Sequence, residues 1–163
     1  MKRFVLFCLV FLPMAASAHK ILSGDLKFMK QEQRLHTSID FSQAQYTGDN
    51  GRAFLEAHLA LDSAFLIKQF YNGLADELEH RYLLVGDQPD ARYEVVVRVQ
   101  QVAANGKTWS EAEFTDRESN QVVCTVQLIG NGGHLGTFLS LWGDGLEETG
   151  EDLGSLLKKN TKK

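Results

Sequence analysis

RYEVVVRVQQVAANGKTWSEAEFTDRESNQVVCTVQLI, residues 92–129, reads as three strands joined by two turns. From Arg92 to Val102, Tyr93, Val95, Val97 and Val99 fall on one face with mostly polar residues between them, the period of two of a half-buried strand. Asn105-Gly106 is a strong short-range hairpin signal, because both residues tolerate the positive φ that tight hairpins need. Lys107 to Thr115 returns, with Trp109 and Phe114 as large apolar anchors. Asp116 to Asn120 turns again, and Gln121 to Ile129 is apolar on both faces, as an interior strand is. The result is an antiparallel meander.

The chain on either side supplies helices to cover it. Downstream, Gly130 to His134 breaks the strand pattern, and a helix follows from about Thr137 to Lys159. Phe138, Leu139, Trp142, Leu146, Leu153, Leu156 and Leu157 form its apolar stripe. Gly143, Gly145, Gly150 and Gly154 each cost a helix up to ~1 kcal/mol relative to Ala. Either backbone packs closely against a sheet there, or the helix begins only near Leu146. Upstream, Arg52 to Tyr82 is helical, with Leu66, Phe70, Leu74 and Leu78 at four-residue steps and Ile67 and Tyr71 widening the stripe. Asp62-Ser63 could cap a second helix, with a break near Leu61. Leu83 to Val85 could be a short strand, and Gly86 to Asp90 is a turn cluster. Earlier still, two strands are expected, Gly24 to Lys30 and Arg34 to Ser42, separated by Gln31-Glu32-Gln33. These readings predict an α+β fold: a mostly antiparallel sheet of five or six strands against two or three helices, in one domain from residue 19 to residue 163.

The first eighteen residues read as a cleavable signal peptide. Lys2 and Arg3 precede an apolar run, Phe4 to Leu12, and Ala16-Ser17-Ala18 supplies small side chains for cleavage before His19. The run is too short for a transmembrane span, which needs about 20 apolar residues, and no later stretch predicts one. Cys8 lies inside the run, not at the cleavage point, so lipidation is not expected. The expected location is the periplasm or the exterior. The chain carries 17 basic and 21 acidic side chains, and loss of Lys2 and Arg3 makes it more acidic. That balance argues against nucleic acid and anionic membrane as partners. The basic tail, Lys158 to Lys163, suits the negative end of a helix. One cysteine, Cys124, remains after cleavage, in an apolar strand where it reads as a small buried hydrophobe.

Groups able to do chemistry are scattered. His19 would become the N-terminal residue, and an N-terminal histidine can bind copper through its amine and ring if a second histidine joins it; His36, His58, His80 or His134 could supply one. Asn131, Gly132, Gly133 and His134 form a Gly-rich loop before a helix and are a candidate ligand loop, although the Lys-Ser/Thr of a phosphate-binding loop is missing. Trp109, Phe138 and Trp142 are a candidate aromatic face for a sugar or lipid if exposed together. Glu147, Glu148, Glu151 and Asp152 are expected mainly on the solvent side of the last helix. Ser63, Ser110 and Ser140 lack the sharp elbow of an exposed nucleophile. No cofactor or metal motif is recognised.

The segments SGDLKFMKQEQRLHTSIDFS (23–42), GDQPDARYEVVVRVQQV (86–102) and GNGGHLGTFLSLWGDGLEETGEDLGSLLKK (130–159) resemble a family of uncharacterised secreted envelope proteins of Gram-negative gut bacteria. The resemblance runs from about His19 to Lys159. It implies a small α+β periplasmic module, related in fold to modules that assemble at the outer membrane, and it brings no activity with it. Many such relatives carry a lipidation cysteine, which this chain lacks. The expected function is therefore an exported, non-enzymatic binding or assembly module whose partner is another envelope protein or a small ligand. The alternatives are a small-ligand carrier with an aromatic-lined pocket between sheet and helices, or a copper enzyme using His19.

Overall fold

A computed structural model describes residues 19–79 and 81–161. The signal peptide, His80 and the last two lysines lie outside the described residues. Along the chain run β1 (His19–Gly24), a short 3-10 helix (Lys27–Gln31), β2 (His36–Asp40), β3 (Gln45–Tyr46), α1 (Gly51–Glu77), β4 (Tyr93–Val102), β5 (Thr108–Asp116), β6 (Gln121–Gly130) and α2 (Phe138–Asn160). The six strands form one sheet in the order β1-β6-β5-β4-β2, with β3 also on β4. The β4–β5, β5–β6 and β1–β6 pairs are antiparallel, whereas β2 and β3 both run parallel to β4. This is the expected α+β class, with two helices.

The meander forms where its pattern placed it. Asn105 and Gly106 lie in the β4–β5 turn, where the Ala103 N–H donates to the Lys107 carbonyl and Gly106 adopts φ +80°. Asn120 closes the β5–β6 turn at φ 55°, a conformation that asparagine tolerates better than most residues. Val95, Val97, Val99, Ala112, Phe114, Cys124, Val126 and Leu128 are fully buried on the helix-covered face. Trp142, Leu146 and Leu153 of α2 and Leu66, Phe70 and Leu74 of α1 meet them in one core. Thr108 ties β5 to α2: its hydroxyl lies 2.7 Å from that of Thr149, and both hydroxyls donate toward or share the Gly145 carbonyl, so these buried polar groups are partnered.

The glycines of α2 have a physical reason. A Cβ on Gly150 would collide with the Phe70 carbonyl of α1, one on Gly145 with the Gly106 carbonyl in the β4–β5 turn, and one on Gly154 with Glu77. Close backbone approach is thus the explanation, but against α1 and a hairpin turn more than against the flat of the sheet. Helix α2 starts at Phe138, not near Leu146, with the Thr137 hydroxyl accepting from the Ser140 N–H.

Three expectations change. Gly24 to Lys30 is not a strand: Asp25 accepts the Lys27 N–H, the Met29 N–H donates to the Leu26 carbonyl, and Leu26 and Met29, three residues apart, both enter the core. The strand lies earlier, at β1, where both faces are exposed and no hydrophobic alternation marks it. Helix α1 is continuous through Asp62-Ser63, with Leu61 on its exposed side at 84% accessibility. Leu83 to Val85 contributes only a single bridge, Leu84 to Arg34.

Candidate functional site

The sheet register brings the first described residue to the last helix. His19 pairs with Leu128 at the end of β6, and its Nδ1–H donates to Asp152 Oδ1 of α2 at 2.7 Å. Asp152 follows Thr149 by three residues and precedes Leu156 by four, so helical periodicity turns it inward. It is only 8% exposed, the exception to the expectation that the acidic pairs of α2 lie mainly on the solvent side. Its second oxygen, Oδ2, is buried with no hydrogen-bond partner. Burial pushes the Asp152 carboxyl above its usual range, against the opposing pull of the His19 hydrogen bond and charge, the nearby Ile129 N–H and Lys159.

Asp152 lines an open cleft of about 250 Å³ with Glu77, Ile129, Glu148, Glu151 and Ser155. Two of these carboxylates are committed: Glu77 pairs with Lys158 at 3.2 Å, and Glu148 accepts the Asn131 N–H at 2.7 Å. Glu151 is pushed up by burial first, then by Glu147, Glu148, Glu77 and Asp76. The arrangement suits a small cationic group more than an anion or a proton-transfer pair.

The other singled-out residues do not converge. In the Gly-rich loop, Asn131 is tied to Glu148, a Cβ on Gly132 would meet the Asn105 carbonyl and the backbone at Gly106–Lys107, and one on Gly133 would meet Asp144. Carboxylates of α2 therefore already sit where a phosphate would have to lie. His134 stands exposed in the same loop. Trp142 is fully buried with Phe138 against it at 5.6 Å between ring centroids, whereas Trp109 lies on the opposite face of the sheet under Lys107. Period-two alternation in β5 separates them: Thr108 and Ser110 point to the helices, so Trp109 cannot. The three rings form no common face.

His36 and His58 hold structural positions. His36 Nδ1 accepts from the Gln88 N–H, and the His58 ring donates to the Phe54 carbonyl while packed against Phe54 and Phe138. Among the described residues no three His, Cys, Asp or Glu side chains stand close enough to hold a metal ion. Cys124 is buried, and its thiol is pushed up to about 11 by burial and by Asp25, so it is held as the thiol. No helix among the described residues is long and apolar enough to cross a membrane.

The fold defines a two-helix, single-sheet α+β class, and the comparisons add little beyond it. No family model matches the chain, and no curated protein matches it. It is similar in structure to the PelC dodecamer from Paraburkholderia phytofirmans, at TM-score 0.46 and 10% identity over 82% of this chain and 96% of that one. A single-substitution variant of that dodecamer gives TM-score 0.42 and 13% identity over 83% and 95%.

Proposed function

We propose that this protein is exported, processed after Ala18, and works in the periplasm as a non-enzymatic binding or assembly module. The observation that carries this reading is the filled interior. The space between sheet and helices, where a carrier or a buried active site would need room, is packed with Phe70, Phe114, Trp142, Leu146 and Leu153, all fully buried. Any partner must therefore be met at the surface. The leader-like first eighteen residues and the resemblance to secreted envelope proteins support the compartment.

The surface best suited to a protein partner is the β1 margin. β1 ends the sheet, paired on one side to β6. Ile21 and Leu22 are 43% and 48% exposed. A strand edge offers unpaired main-chain donors and acceptors, which an extended segment of another protein satisfies by adding a strand. Lys20 and the register shift between Ile21 and Ser23 are features that discourage indiscriminate pairing, including with a second copy. The occupant we assign is thus an extended segment of a different envelope protein.

Photo-crosslinking from position 22 of the exported protein in intact cells tests this, with position 61 on α1 as the control. The expected result is one adduct from position 22, containing a peptide of another envelope protein and lost in Ile21→Lys. Adducts only to a second copy, or equal yields from both positions, contradict it.

A further inference from the structure

The cleft beside Asp152 is lined by four carboxylates, Glu77, Glu148, Glu151 and Asp152, and the chain itself holds a candidate cation for it. β1 runs antiparallel to β6 with His19 opposite Leu128 and Lys20 opposite Gln127, so the nitrogen end of His19 lies on the Ile129 side of its pairing. Ile129 lines the cleft with Asp152, Glu151 and Glu148. The ring of His19 already holds Asp152 Oδ1, and a histidine's main-chain nitrogen lies about 3–5 Å from its own Nδ1 by bond geometry. That nitrogen is therefore anchored at the cleft. Within it, Glu77 and Glu148 have partners, whereas the buried Asp152 Oδ2 has none. An unpaired buried carboxylate oxygen is costly, and a charged donor satisfies it better than a neutral one.

We propose that cleavage between Ala18 and His19 creates the ligand of this cleft: the new α-ammonium of His19 docks against Asp152 and latches β1 to α2. The inference rests on the processing reading above. In the uncleaved chain the same nitrogen is a neutral amide, so the latch closes only on maturation and firms the strand that the partner is to bind. The titratable groups around it are His19 on β1, Glu147, Glu148, Glu151, Asp152, Lys158 and Lys159 on α2, and Asp76 and Glu77 on α1. Carboxylates outnumber the two lysines, which favours a bound ammonium. Its pKa in the folded protein accordingly lies above the ordinary α-amino range of about 7.7–8.0. The stabilisation is complete below that range and is lost as pH rises through the folded-state value.

The test uses the full chain expressed with its leader, recovered after export, its start read from the intact mass. Wild type is compared with a chain carrying one alanine inserted between Ala18 and His19, each with and without Asp152→Asn. The expected result is a start at His19 and an insertion that lowers the melting temperature by roughly 3–5 °C at neutral pH, but has no effect beside Asp152→Asn. A start at His19 with an insertion that costs nothing overturns the latch and leaves the processing reading intact. A different start overturns both. Should Asp152→Asn fail to fold, NMR titration of the wild-type α-amine decides the matter: a value above the ordinary range supports the latch, and an ordinary value overturns it.

Discussion

The seam between α1 and α2 and the margin formed by β1 are built in opposite ways. Along the seam, main chain meets main chain: Gly150 lies against the Phe70 carbonyl and Gly73 against the Glu147 carbonyl, with no room for a methyl group. Trp142 of α2 enters the core beneath the seam with no exposure at all. The β1 margin has little of this. Five of its six residues are exposed, its hydrogen-bonding edge ends the sheet, and its link to α2 is the His19–Asp152 hydrogen bond, with the second Asp152 oxygen to spare. The seam is a permanent structure with nothing left to bind, whereas the margin keeps apolar side chains, main-chain groups and charge in reserve. On the proposed function, stability resides in the first and the capacity to bind in the second.

Changes at the two regions should separate accordingly. Trp142→Ala removes the largest fully buried side chain and should cost about 3–5 kcal/mol in denaturant unfolding. Gly150→Ala drives a methyl into the Phe70 carbonyl and should cost about 1–3 kcal/mol by forcing the helices apart. A variant as stable as wild type would mean the seam is looser than described. Thr149→Val leaves the Thr108 hydroxyl with the Gly145 carbonyl alone and should cost about 1–2 kcal/mol, again by denaturant unfolding. Cys124 connects the core to pH. Its thiol favours the fold below about pH 9, and that contribution is lost as pH rises through about 11. Alkylation at pH 8 should accordingly be slow in the folded protein and rapid in denaturant; fast labelling of the native state would show the strand to be open. Smallest of all, Leu22→Glu at the margin should alter stability by no more than about 0.5 kcal/mol while abolishing partner capture. A large loss of stability there would erase the contrast.

The seam and the meander were largely legible in the sequence, and the margin was not. Alternating Tyr93, Val95, Val97 and Val99 report one wet and one dry face, and Asn105-Gly106 reports the turn, because each signal is local. The four-residue steps of Leu66, Phe70 and Leu74 likewise fix the buried side of α1. β1 escapes the same reading because an edge strand exposed on both faces has no hydrophobic period to show. Asp152 escapes because its neighbour Glu151 suggests a solvated pair, while its burial depends on His19, 133 residues away. Periodicity places Asp152 beside Leu153 and Leu156 on the stripe, and that spacing was the one available hint. Trp109 and Trp142 look alike as anchors in sequence, yet strand alternation turns Trp109 to the far side of the sheet while the apolar stripe of α2 turns Trp142 into the core.

Hydrogen exchange on the processed protein, alone and in its captured complex, tests most directly whether binding is confined to the margin. Amides of β4, β5 and α2 should exchange slowly in both states, and protection gained on binding should be restricted to residues 19–24, the strand that faces Cys124 to Leu128 of β6. Protection gained instead in the 131–136 loop or along the exposed side of α1, with β1 unchanged, would contradict it.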